Sequence, residues 1–371
     1  MRVGVDGRSL AGDRARGLRQ PRGVSRYTSS LLRALAALQP EDEWLALVPR
    51  AATPPDGVNA RRSRLAGRAG RAAAALSGRP RLDGLLGGGL DVVWLPAPAP
   101  VSLSEQTPYV LTLHDLSFEA MPGALTGYER LWSRLARPRE LARRAARVMA
   151  VSSQTREEAI GRWGLRPELV VVVPPGVWRP PPAAPAAVEQ VRRRLSLPER
   201  YLLFVGALEP RKGLEVLTRA YRDARARGLP SPLVLVGDGP LRGRLRGGDM
   251  VLAGRVSDRE LGALYAGARA TVLPSMLEGF GFTPLESLAA GTPVIASDLP
   301  PLRETLADGA LWVPPGDEAA LADALLAVDR DADLRRRLLA AGRPAAERFS
   351  WERAAEKAYA VLRDAAARQR P

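Results

Sequence analysis

The chain has 371 residues, 46% of them apolar, with 55 Lys and Arg against 40 Asp and Glu and a net charge of +15. That length suits two domains, each able to bury its own core. No run approaches the roughly 20 apolar residues of a membrane span, and the lack of cysteine excludes disulfides and thiolate metal sites.

The opening MRVGVDGRSL is too short and too broken by charge to read as a signal peptide. The expected setting is the cytoplasm, with peripheral attachment to the inner face of the membrane left open. Nearly all the basic residues are Arg, with Lys only at 212 and 357. A GC-rich coding sequence would produce this, and so would attraction to an anionic membrane or a polyanionic substrate. Aromatic residues are too sparse, and too little interleaved with the basic ones, for a nucleic-acid stacking platform.

In chain order, Met1 to Asp6 alternates as a strand and Gly7 opens a loop rich in Gly and Arg. Arg22-Gly23-Val24-Ser25-Arg26-Tyr27 leads into a helix over Thr28 to Leu38, with leucines at helical spacing. A glycine loop after a first strand offers backbone donors to an anion. Trp44 to Val48 is a second strand; residues 51–90, dominated by Arg, Ala and Gly, read as a mobile loop with room for one helix. Asp91 to Leu95 and Tyr109 to Leu113 are strands, the latter ending at His114-Asp115. His114 is the only histidine, and it lies at the carboxyl end of a buried strand, where open α/β sheets bind ligands. A lone histidine is otherwise more often structural.

Residues 127–147 form a basic, partly amphipathic helical stretch broken near Pro138. Arg130, Arg134 and Arg137 share one face and Leu131, Trp132 and Leu135 another. This is either a solvated helix packed on its leucines or a membrane-surface contact. Val148 to Val151 is a strand, Ser152 to Thr155 caps the next helix, and Val170 to Val173 closes the first half. The proline-rich run from Pro174 to Pro185 reads as the linker.

Tyr201 to Val205 opens the second half, followed by GALEPRKG and a helix. Arg211 and Lys212, adjacent at a strand-to-helix turn, suit a diphosphate: a bidentate guanidinium beside a point charge. Pro232 to Val236 leads into GDGPLRG, one residue too long for the dinucleotide fingerprint, and then strand Met250 to Ala253. A helix follows over Arg259 to Ala266. Residues 271–297, TVLPSMLEGFGFTPLESLAAGTPVIAS, pass from one buried strand through a glycine turn and a helix into another strand. Glu278 and Glu286 bracket the turn with seven residues between them. The helix start offers free amides and a positive dipole end to an anion, and the carboxylates can accept from hydroxyls. Thr283-Pro284-Leu285-Glu286 also reads as a capping box. After strand Ala310 to Val313, Asp329, Asp331 and Asp333 mimic a DxD metal pattern, but read as helix ends and solvated charges; no metal ligand is assigned. A last helix runs from Trp351 to Arg368.

E-x7-E in EGFGFTPLE, followed by AAGTPV, resembles the signature of the retaining GT-B glycosyltransferases of family 4, and VLTLHDLSFEAMPG, VSSQTREE and GALEPRKG are similar to further segments of that family. Many relatives carry Arg directly after the first glycine, where this chain has Ala207; the mannosyltransferase-like subgroup is nearer. The resemblance implies two Rossmann-like, doubly wound α/β domains facing across a cleft, and a carboxyl-terminal helix crossing back to the first. The expected boundaries are an acceptor-side domain 1–176, a linker 177–198, a nucleotide-sugar-binding domain 199–350 and the returning helix 351–371.

It further implies transfer of a hexose, mannose favoured, from a nucleoside diphosphate sugar such as GDP-mannose to a glycan or lipid-linked acceptor, without metal or other cofactor. Arg211 and Lys212 would hold the diphosphate, with Gly23 in the facing loop. His114 and Glu278 would hold the sugar and Glu286 the ribose. Gly279, Phe280, Gly281, Phe282, Thr283 and Leu285 would supply the loop and helix-start contacts, and the backbone of Arg255 and Val256 would hold the base. Two alternatives remain at this point: a sugar-nucleotide epimerase on the same scaffold, and a non-catalytic polyanion-binding protein.

Overall fold

The computed structural model describes residues 1–10, 23–50, 52–64, 67–124, 126–245 and 250–368. Residues 11–22, including Arg22 and most of the expected glycine-rich loop, lie outside the described residues. The chain divides into two compact units, Met1–Gly176 with Phe349–Pro371, and Val177–Arg348.

The first unit holds a parallel sheet of β1 (Arg2–Val5), β2 (Glu43–Val48), β3 (Asn59–Arg62), β4 (Val92–Leu95), β5 (Tyr109–Leu113), β6 (Arg147–Ala150) and β7 (Val170–Val172). Its order is β3-β2-β1-β4-β5-β6-β7. The helix Gly23–Leu38 starts earlier than its leucine spacing indicates and buries Tyr27, Thr28, Leu31, Leu32 and Leu35. The carboxyl-terminal helix Trp351–Ala367 packs against it and against β4, β5 and β6. Arg147 and Asp364 join this helix to the sheet at 2.7 Å.

The second unit holds β8 (Leu202–Val205), β9 (Leu233–Val236), β10 (Met250–Gly254), β11 (Ala270–Leu273), β12 (Val294–Ser297) and β13 (Ala310–Val313). The order β10-β9-β8-β11-β12-β13, parallel throughout, reverses between β8 and β11. This is the doubly wound arrangement, whose ligands sit outside the strand ends at the reversal. Alternate strand residues enter different cores: Leu202, Phe204, Leu233 and Leu235 one, Tyr201, Leu203, Val234 and Val236 another. Strands buried on both faces must read as unbroken apolar runs, as LLFV and LVLV do.

Four expectations change. Within 51–90 the structure has β3 and the helices Arg68–Ser77 and Leu82–Leu85. β3 escaped notice because its NARR sequence is a largely exposed edge strand with no apolar face. The proline run has no regular structure up to residue 184, but the rest of the expected linker 177–198 is not loose chain: Pro185–Leu195 is a helix that buries Val191 and packs on helix Asp258–Gly267. Asp329 is not a solvated charge; it is 6% exposed and accepts from the Ser231 hydroxyl, whereas Asp331 caps helix Ala332–Glu347 as expected of a helix end. The capping box at Thr283 and Glu286 does not form. Helix Phe282–Ala289 begins two residues earlier than the capping box would have it, and its N-cap is Gly281, which has no side chain with which to cap.

The returning helix should contribute strongly to the first unit. Leu362 is fully buried, so Leu362→Ala should cost about 2–5 kcal/mol in urea unfolding; a change below about 1 kcal/mol would show the helix to be only loosely docked.

Candidate functional site

β8 and β11 are neighbours, so the loops leaving their carboxyl ends meet. The amide of Met276 donates to the carbonyl of Arg211 at 2.8 Å. Gly213 sits at φ +67, and a Cβ there would stand 1.9 Å from the Pro274 carbonyl oxygen. Only glycine allows the two loops to approach this closely.

That approach assembles a four-charge cluster. Lys212 Nζ donates to Glu278 Oε1 at 2.5 Å, and Ser275 Oγ donates to the same oxygen at 2.7 Å. Arg211 Nη1 lies 4.0 Å from Glu278 Oε2, and its Nε is 2.6 Å from Glu209 Oε1. The Lys212 and Glu278 side chains are 13% and 8% exposed. Burial alone would push the Glu278 carboxyl up, but Lys212 and Arg211 outweigh it and hold it below the usual carboxylate value. Glu278 is thus an anion at neutral pH.

Beside the cluster, helix Phe282–Ala289 presents its start with no side-chain cap. Thr283, expected to cap it, donates instead to the Val205 carbonyl at 3.3 Å. Glu286 is buried, with the Tyr265 hydroxyl donating to Oε2 at 3.2 Å. The Phe280 and Phe282 rings lie 5.2 Å apart, and the Thr305 hydroxyl donates to the Phe280 carbonyl at 3.1 Å, fixing the turn that contains Gly279 and Gly281. The Leu285 side chain is wholly in the core, leaving only its backbone for a ligand.

Arg255 and Val256 follow β10. Val256 is 4% exposed and packs in the core with Leu261 and Leu264, so its side chain, like that of Leu285, is taken up by packing. Glycines of the GDGP turn have a packing role: a Cβ on Gly237 would lie 1.8 Å from the Gly206 carbonyl oxygen. The dinucleotide-like spacing therefore reflects contact between adjacent strand ends.

In the first unit His114 directly follows β5. Its Nε2 is 2.9 Å from the Pro96 carbonyl oxygen; a carbonyl only accepts, so Nε2 carries the proton and Nδ1 keeps its lone pair. Burial holds the imidazole below its usual range, which keeps it neutral at pH 7. The Tyr27 ring meets it edge-on, centroids 4.7 Å apart at 87°. Gly23 is the first residue of helix Gly23–Leu38, with open space where a Cβ would stand.

Sequence reasoning missed two features. At the carboxyl end of β1, Arg8 clamps Asp6 through Nε at 2.6 Å and Nη2 at 2.7 Å, both side chains buried. Two opposite charges two residues apart just beyond a first strand were the available signal. Glu209 was read only as part of a loop, although it lies next to Arg211 across one proline.

A cation pair, a buried carboxylate and an uncapped helix start thus gather at the reversal of a doubly wound sheet, the place where such sheets hold their ligands. Residues 21–177 match the family model Glycosyltransferase Family 4, and residues 188–344 match Glycosyl transferases group 1. The chain is 32% identical over 290 residues to a D-inositol 3-phosphate glycosyltransferase of Frankia alni, covering 70% of this chain and 69% of that one. It is 36% identical over 186 residues to O-antigen chain mannosyltransferase B of Escherichia coli, covering 46% and 48%. The chain spans about half the length of this mannosyltransferase and of several other curated relatives. Sucrose-phosphate synthase of Thermosynechococcus elongatus shares the fold, with TM-score 0.73 and 21% identity over 98% of both chains. The chain belongs to glycosyltransferase family 4 and has the two Rossmann-like α/β domains of the GT-B fold.

The carboxylate at the centre of the cluster has a pH signature. The folded value of Glu278 lies below the unfolded one, so its contribution is present above the ordinary carboxylate range and is lost as pH falls through the folded value. Glu278→Gln should cost on the order of 3 kcal/mol at neutral pH. The gap to wild type should hold above the ordinary carboxylate range and shrink progressively as pH falls below it through the lower folded value. Unfolding midpoints of both proteins across pH check this; a gap that widens on acidification would contradict it.

Proposed function

We propose that this chain is a glycosyltransferase that moves a hexose from a nucleoside diphosphate sugar, GDP-mannose favoured, to a hydroxyl of a glycan or lipid-linked acceptor, with retention at the anomeric carbon. The observation that carries this reading is the Arg211–Lys212–Glu278 cluster beside an uncapped helix start at the sheet reversal. Membership of the family and the mannosyltransferases among its relatives support the choice of reaction and sugar.

In this reading the cations meet the charge that grows on the departing diphosphate, a preorganised electrostatic contribution. Arg211 is the cation freed for it, because its partner Glu209 is 26% exposed and is readily given over to water. Lys212 stays on Glu278 while facing the phosphate. Glu278 Oε1 is occupied by Lys212 and Ser275, so Oε2 is the oxygen that accepts from sugar hydroxyls. His114 accepts a ligand hydroxyl through the bare Nδ1 and takes no part as an acid. With protein cations on the diphosphate, no divalent ion is required.

A thermal-shift panel of GDP-mannose, UDP-glucose and UDP-GlcNAc with the free nucleotides tests the donor, since a ligand of the folded state raises the midpoint. Transfer from the stabilising donor, with and without EDTA, tests the chemistry. Glu278→Ala should remain folded and lose about 100-fold or more in turnover. A panel that stabilises nothing, or full activity in Glu278→Ala, would overturn the reading.

A further inference from the structure

His114 presents the bare Nδ1 in a fixed direction only while its ring holds one orientation. The bond from Nε2 to the Pro96 carbonyl is a single contact to one ring atom. A hydrogen bond of this kind favours one orientation by only about five-fold. The residue is half-buried, so more is needed to hold the ring still.

Tyr27 supplies the second contact, its ring centroid 4.7 Å from that of the imidazole at 87°. Tyr27 is itself wedged. Trp94 meets it at 6.1 Å and 68°, and Trp351, the first residue of the returning helix, at 6.0 Å and 61°. Only 1% of Tyr27 is exposed. Its hydroxyl is shut away from water beside Thr112, whose own hydroxyl accepts from Trp94 Nε1 at 3.0 Å. Burial pushes the phenol up, so it stays protonated and uncharged.

Trp351 is held in turn. The Ser350 hydroxyl caps its helix by accepting from the Arg353 amide at 3.2 Å. Gly176 lies flat against it: a Cβ there would stand 2.3 Å from the Trp351 amide nitrogen and 2.5 Å from its Cγ. The His114 main chain is tied as well, since the Thr155 hydroxyl donates to its carbonyl at 3.4 Å. Helix Gly23–Leu38, β4 and the returning helix thus bear through one tyrosine on one imidazole.

We infer that Tyr27, backed by Trp351, is a positioning residue for His114: it keeps the imidazole dry and in the orientation that spends Nε2 on Pro96 and leaves Nδ1 to a ligand hydroxyl. An apolar side chain of similar size would fill the same space. The edge-to-face contact is specific to an aromatic pair and is worth about two- to twelve-fold beyond the area it buries. The groups facing the imidazole are the Pro96 carbonyl, the Tyr27 ring and the Asp115 carboxylate next in the chain. Asp115 favours the charged ring, so exclusion of water is what keeps the ring neutral. The part of the inference that concerns a ligand hydroxyl rests on the role proposed above for His114.

Because His114 is the only histidine, its ring gives the only imidazole side-chain signals in a nitrogen-15 spectrum of the intact chain, and these report orientation without any substrate. In wild type the proton should reside on Nε2 and exchange slowly with water, and the ring should stay neutral as pH falls through about 6.5, the ordinary histidine value. Tyr27→Phe keeps the ring and should behave alike. Tyr27→Leu should quicken exchange and bring the titration up to about 6.5. Trp351→Leu should move both in the same direction by less, and carries the test if Tyr27→Leu does not fold; unfolding midpoints are measured alongside. In turnover Tyr27→Leu should lose about two- to twelve-fold in kcat/KM for the donor, and more below about pH 6.5. Its affinity for the free nucleoside diphosphate, which has no sugar, should match wild type. Unchanged imidazole titration and exchange in both leucine variants, or nucleotide affinity that falls in step with turnover, would overturn the inference. Imidazole signals that shift with no loss of turnover would overturn the role given to His114. Failure of the donor site shows separately, in Glu278→Ala.

Discussion

A lysine and a glutamate, 66 residues apart, meet where two loops leave neighbouring parallel strands, and the second unit depends on that meeting. Taking a carboxylate out of water is costly unless a cation and further donors meet it. Lys212, Ser275 and the nearby Arg211 meet that need, and in doing so they fix the geometry of the loops after β8 and β11. The close approach at Gly213 and the amide bond from Met276 belong to the same arrangement. The residue proposed to hold sugar hydroxyls is therefore also the counterion that holds Arg211 and Lys212 in place.

This dual use accounts for the balance of charge. Arg211 and Lys212 are not bare cations awaiting an anion; Glu209 and Glu278 accompany them. A diphosphate would displace the more exposed of the two pairs and leave the more buried one intact. That hierarchy follows from burial: an exposed pair gains little from its Coulomb attraction, while breaking a buried one strands a charge.

Much of this was legible in the chain, and the illegible parts share a cause. Apolar runs such as LLFV and LVLV disclosed buried strands because both of their faces are covered, and Arg211, Lys212 and Glu278 stood out by residue type and by position at strand ends. Family resemblance supplied the roles proposed for them. What one dimension hides is which strand ends are adjacent, so the pairing of Lys212 with Glu278 had to await the sheet order. β3 has no apolar face and so no periodic signal. The Thr283–Glu286 spacing satisfied a capping rule that the backbone did not use, because the helix reached back to Gly281. The Asp6–Arg8 clamp is not visible in the chain, where Asp6 reads as a strand end and Arg8 as one arginine of a loop, since burial there is set by distant elements such as β4, whose Trp94 carbonyl receives the Asp6 amide.

The claim that the cluster is a diphosphate site is tested most directly by calorimetric titration of nucleoside diphosphate against the matching monophosphate, in wild type and in Lys212→Met. Two charge-assisted contacts to the terminal phosphate should make the diphosphate bind about 100-fold tighter, and Lys212→Met should shrink that gap to about ten-fold or less. An equal affinity for both nucleotides, or a gap untouched by the substitution, would contradict the account.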